Sequence, residues 1–168
     1  MSKNIKQLTP NELKKQLKKL DATDVMTIIL PESQDEYKIE YDLHFKVTKQ
    51  IHLVENFMKF IETSREHPDN LEYTSQYIAL LAIKYFTNLQ VPDEISDQMA
   101  YLAMLLNLKI LDKIADNLPE KQMQELYEML TRTMDGLAKA SAELRERAEK
   151  EAAEIAAEME KAETEKTE

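Results

Sequence analysis

The chain has 168 residues, 43% of them hydrophobic and 32% charged, with one glycine, five prolines, no cysteine and no tryptophan. That length suits one modest core with an appendage; the lack of cysteine excludes a disulfide framework, a thiol nucleophile and any thiolate metal site. A formal net charge of −10 opposes general nucleic-acid binding, whose affinity comes mostly from cations that neutralise phosphates.

The first twenty residues run against the overall charge, with Lys3, Lys6, Lys14, Lys15, Lys18 and Lys19. Within them "LTPNELKKQLKKL" carries a helix-start signature: Thr9 as N-cap, Pro10 in the first turn, Glu12 three residues after the cap, and Leu8 placed to staple onto Leu13. Leu13, Leu17 and Leu20 form a narrow apolar stripe, so this helix is expected to lie on the body with its lysines outward.

Next comes "DVMTIIL", β-branched and apolar, then the polar loop "PESQDE", then "EYKIEYDLHFKV", in which apolar and polar residues alternate from Glu36 to Val47. The pattern predicts a hairpin with a loop of about six residues. Tyr37, Ile39, Tyr41 and Leu43 are expected to pack on helices, because a two-stranded hairpin is marginal in water unless its apolar face is covered. The second arm is longer than the first, so Leu43, His44, Phe45, Lys46 and Val47 are expected to form an unpaired strand edge open to a second copy.

From about Lys49 the apolar period becomes helical, with Ile51, Val54, Met58 and Ile61 on one face, widened by Leu53, Phe57 and Phe60. Asn70 is placed to cap the next helix, whose run Tyr77 to Ile83 is apolar on all sides and therefore central. Pro92 and Pro119 each precede acidic residues and predict two helix starts. Asn107 is the expected break between them, since Asn tolerates the left-handed conformation at a helix end.

Past the single glycine, Gly136, the sequence is mostly Ala, Glu, Lys and Arg, with Glu143 and Arg147, and Glu146 and Lys150, at the spacing that supports a helix. Its stripe of Leu144, Ala148, Ala152, Ile155 and Met159 is thin and predicts weak docking. The whole reads as mainly α: a basic N-terminal segment with a short helix (1–23), a hairpin plus multi-helix core (24–134) and a long charged C-terminal helix (135–168).

Chemistry-bearing patterns are sparse. His44, His52 and His67 fit no metal-ligand spacing, and the serines lack a nucleophile elbow or neighbouring glycine. Phosphate-cradling loops require several glycines. The expected protein is not an enzyme and needs no cofactor or metal. No apolar run approaches the roughly 18 to 20 residues that span a bilayer, so no membrane role is expected. Met99, Met104, Met123, Met129 and Met134 are either core filling or an adaptable surface for a partner's helix, because thioether side chains repack readily.

The order of elements, with "EYKIEYDLHFKVTKQIHLVENFMKFI" and "LAIKYFTNLQVPDEISDQMAYLAMLLNLKILDKIADNLPEKQMQELYEML", resembles tail assembly chaperones of long-tailed bacteriophages over roughly residues 24 to 134. That resemblance implies a non-enzymatic factor of the host cytoplasm that self-associates and coats the tape measure protein before the tail tube polymerises. A scaffolding or structural virion protein, or a small inhibitor of a host protein, would share the same composition. If the strand edge drives self-association, Phe45→Pro is expected to stay folded and lose its oligomers in light scattering; an oligomer like the wild type removes the idea.

Overall fold

The computed structural model describes residues 7–164, the side chains of residue 154 and of residues 156–164 excepted; Lys3 and Lys6 lie outside this range, as does the side chain of Met159. The chain forms two compact units, Met1–Tyr127 and Glu128–Glu168. Its elements are α1 (Pro10–Lys19), β1 (Thr23–Ile29), β2 (Glu36–Asp42), α2 (Val47–Thr63), α3 (Thr74–Phe86), α4 (Ile95–Asn107), α5 (Leu111–Ala115) and α6 (Glu120–Thr164), with a 3₁₀ turn at Pro68–Tyr73 before α3. The fold is mainly α with one antiparallel hairpin.

The N-terminal unit is organised around α3. Tyr77, Leu80, Leu81, Ala82, Ile83 and Phe86 have no accessible surface, as an all-round apolar helix requires. α2 supplies Leu53, Phe57 and Phe60 to this core, with Phe60 stacked on Tyr77 at 3.9 Å between ring centroids. The buried face of α2 is rotated from the expected one, for Ile51 is 51% exposed while Leu53, Asn56, Phe57 and Phe60 point inward. Aromatic rings on that side fill more of the space beside α3 than the aliphatic stripe could.

The hairpin pairs Met26 with Ile39 and Thr23 with Asp42, and its six-residue loop turns through Gln34 at φ 59°. Met26, Ile28 and Ile39 are buried on the face turned to the helices, so the alternation places the correct parity inside; Tyr37, at its loop end, remains half exposed. The outer edge of β2 is partly covered. The Glu40 amide donates to the Asn88 side-chain oxygen at 3.1 Å, the Asn88 amide donates to the Glu40 carbonyl at 2.9 Å, and Tyr41 bridges Thr87.

Leu43–Val47 departs from expectation. Both strands have seven residues, and β2 ends at Asp42. Phe45 is buried with its ring stacked on Phe86 at 3.7 Å, its amide donates to Gln122 Oε1 at 2.9 Å, and its carbonyl accepts from Gln50 Nε2 at 2.7 Å. Lys46 pairs with Asp21, and Val47 opens α2. The Phe45 amide and carbonyl, which a second strand would need, are thus satisfied within the chain. Proline at Phe45 removes a core ring and an amide bond, so it reports on folding, at a cost of about 3 kcal/mol or more.

Other expectations need smaller corrections. Thr9 caps α1 as read, accepting from the Glu12 amide at 3.3 Å, but no α1 residue is buried, and Leu8 and Leu13 stay mostly exposed. The hairpin, not α1, covers the helices here: a ten-residue helix with three leucines has too little apolar area to compete with a two-stranded face. Asn70 lies in the 3₁₀ turn, and α3 begins at Thr74 without a side-chain cap. α4 begins at Ile95, three residues beyond Pro92, because the Pro92 and Asp93 carbonyls are taken by side chains. It ends at Asn107 as expected, although the left-handed residue is Lys109, at φ 54°.

The α6 helix spans Glu120–Thr164 and runs through Gly136, where an added Cβ would meet nothing within 4 Å. Within the C-terminal unit, Lys150 donates to Glu146 at 2.7 Å, one of the two pairs read from spacing. Leu137, Leu144 and Ile155 are exposed.

Candidate partner-binding surfaces

Two apolar hollows of the N-terminal unit flank α4. One, of about 220 Å³, lies under the hairpin and is lined by Ile28, Tyr37, Ile39, Leu89, Tyr101 and Leu105 with α5 residues beside them. The other, of about 260 Å³, is formed by Tyr73, Met99, Leu102, Ala103, Leu106 and Asn107. α4 produces both because its apolar residues spread over more than one stripe: Leu102 and Leu105 are buried, while Met99, Tyr101 and Leu106 are half-buried. A helix at the edge of a core with excess apolar surface leaves hollows that a partner's side chains can fill.

The five candidate methionines are not brought to one face. Met99 lines the second hollow; Met104, five residues on and so about 140° round the helix, is 53% exposed elsewhere. Met123 is buried in the N-terminal unit. Met129 and Met134 are half-buried in the C-terminal unit. Of the strand-edge candidates, Leu43, His44 and Val47 are exposed, whereas Phe45 is in the core.

A polar cluster borders a third, more hydrophilic cleft of about 420 Å³ between α2, α3 and the Pro92–Glu94 turn. The Tyr77 hydroxyl lies 3.1 Å from Asn56 Oδ1 and in hydrogen-bond contact with Gln98 Oε1, and Asn56 Nδ2 is 3.3 Å from the Tyr85 hydroxyl. Gln98 is fixed by donating to the Pro92 and Asp93 carbonyls at 2.9 and 3.1 Å. A phenol has one proton to donate, and Gln98 offers it only an oxygen. With the Asn56 amide turned over, its nitrogen serves Tyr77 and its oxygen accepts from Tyr85, so every group is satisfied. Burial, with the nearby Tyr85, raises the Tyr77 pKa, so the phenol stays protonated through the physiological range.

Lys84, nearly buried, donates to the Pro92 carbonyl at 2.6 Å and to Asp93 at 2.7 Å. That hydrogen bond and the lysine charge hold the Asp93 carboxyl below its ordinary range. The arrangement fastens the turn before α4 to α3. On the cleft's rim His52 lies 3.2 Å from Glu55, one turn along α2. Among the described residues no three His, Cys, Asp or Glu side chains gather as metal ligands.

Sequence reasoning missed the Asn56–Tyr77–Gln98 cluster. Its signal was present: Asn56 sits in the apolar stripe of Leu53, Phe57 and Phe60, and Gln98 one turn before Leu102. A polar residue at a core position needs a partner, but the partners are 21 residues away in each direction from Tyr77, beyond any helical period.

Together these features define a mainly α protein with an N-terminal hairpin, apolar surface hollows and a structural polar cluster. A family model, YomO, matches residues 11–168, and the chain belongs to that family, a phage-derived group of the Bacillus phage SPbeta-like kind. No curated protein and no solved structure matches the chain.

If the cluster is structural, Tyr77→Phe will leave the Gln98 oxygen without its donor. The expected cost is about 1–3 kcal/mol, read as a lower urea midpoint with an unchanged m-value. An unchanged midpoint would show that the hydroxyl is not needed.

Proposed function

We propose that this phage-family protein is a non-enzymatic tail assembly chaperone, acting in the host cytoplasm, that self-associates and holds the tape measure protein before tail polymerisation. The observation that carries the reading is the pair of apolar hollows flanking α4. A tape measure protein is a long helical client in this reading, and its apolar side chains at i, i+3 and i+4 suit hollows of side-chain size. Support also comes from the resemblance over residues 24 to 134 and from the phage-derived family. Among the described residues no helix is long and apolar enough to cross a membrane.

Self-association through the hairpin moves to the other arm. β2 is covered in part by Asn88, whereas β1 turns the backbone of Thr23, Val25, Thr27 and Ile29 outward, with Val25 and Ile29 exposed on the solvent face. The Asp24 carboxylate accepts from the Val25 amide at 2.8 Å, which blunts one position of that edge. Thr27 sits at its centre.

Two measurements check these parts separately. Co-expressed tape measure protein is expected to be soluble with this chain and to precipitate without it, and Leu106→Asp in the second hollow should reduce the rescue; neither rescue nor complex would defeat the chaperone reading. Thr27→Pro, whose amide faces outward, is expected to keep the wild-type circular dichroism spectrum while shifting the light-scattering mass downward; an unchanged mass excludes the β1 edge.

A further inference from the structure

The α1 helix is amphipathic, and its apolar stripe is exposed among the described residues. Leu13, Leu17 and Leu20 are 54%, 58% and 40% exposed and none of its residues is buried; Lys14 borders that stripe, while Lys18 and Lys19 lie further round the helix in solvent. A stripe of three leucines at spacings of four and three is a coiled-coil seam, and it is stable only when a second helix covers it.

The C-terminal unit carries a surface of opposite character. From Leu144 its helix presents Ala148, Ala152 and Ile155 at spacings of four, four and three, all exposed. Exposed Glu149 and Glu151 flank that stretch, while Lys150 is engaged by Glu146. Arg145 and Arg147 precede it, so the acidic character begins at the alanines. The two seams are complementary in size as well as charge: alanines leave shallow holes that admit leucine knobs and let two helix backbones approach closely.

We infer that α1 of one copy docks on the Ala148–Ile155 stretch of a second copy, leucines into the alanine stripe and Lys14 against Glu149 or Glu151, with Lys18 and Lys19 adding to the attraction at longer range. The seam from Leu13 to Leu20 is about 10 Å long, and that from Ala148 to Ile155 has the same length. Such a contact joins unlike patches: made reciprocally it closes a dimer, and repeated head to tail it generates rings or open chains. It deepens the self-association part of the proposed function and names a second contact beside the β1 edge.

The absence of cysteine makes the test direct. A Leu17→Cys protein and an Ala152→Cys protein, each otherwise wild type, are mixed under mild oxidation, with Glu62→Cys on α2 in place of Ala152→Cys as control. The expected product is the mixed disulfide dimer of Leu17→Cys with Ala152→Cys, at least several-fold above the control. Its yield should fall as NaCl rises from about 50 to 500 mM, as expected for screened surface charges. Leu13→Lys with Leu17→Lys should lower the light-scattering mass at an unchanged melting temperature, because neither leucine is buried. A mixed dimer no more abundant than the control, Leu17→Cys homodimers as the main product, or α1-dependent binding to phosphatidylserine vesicles with no mixed dimer would each overturn the inference. Loss of the mixed dimer with tape measure rescue intact leaves the chaperone reading standing; a mixed dimer without rescue does the reverse.

Discussion

A helix with no polar face sets the terms for the rest of the N-terminal unit. Residues 77 to 83 of α3 cannot meet water on any side without exposing apolar surface, so other elements must surround it. α2 brings aromatic rings to one flank, α5 contributes Leu111 and Ile114, and Phe45 closes the end of α3 by stacking on Phe86. The hairpin is held against this assembly by Asn88, just past the end of α3. Tertiary demand of this kind explains why a segment with perfect strand alternation leaves the sheet after Asp42 and gives Phe45 to the core.

Burying Tyr77 inside that shell places a phenolic hydroxyl away from water, and the fold answers with two amides and a turn. Gln98 bends back to the Pro92 and Asp93 carbonyls, which delays the start of α4 to Ile95, and Lys84 secures the same turn. One buried hydroxyl therefore influences where a helix begins. Polar groups at the protein's surface are more loosely constrained: the i, i+4 pairs along α6, such as Arg132 with Glu128, are exposed and contribute a few tenths of a kcal/mol each.

The same economy leaves surface apolar groups in defined places. α4 has more apolar residues than the core beside it can take, which opens hollows on both flanks. α1 keeps its leucines in solvent, and the C-terminal unit keeps a thin alanine stripe. The proposed contacts with other proteins fall on this exposed apolar surface.

Local patterns in the sequence determined much of this protein: the Thr9 cap of α1, the helical periods, the hairpin loop, the parity of the buried strand face, the centrality of residues 77 to 83 and the break at Asn107. Each depends on contacts within a few residues. Tertiary structure alone decided what crosses long distances: the end of β2 at Asp42, the Phe45–Phe86 stack, the rotation of the α2 face toward Phe57 and Phe60, the exposure of α1 and the dispersal of the methionines. Alternation in Glu36–Val47 reports that one side of the chain is apolar, yet a side chain pulled into a core and one lying on a sheet look identical in that pattern. Only the presence of Phe86 and Gln122, 41 and 77 residues further on, separates them.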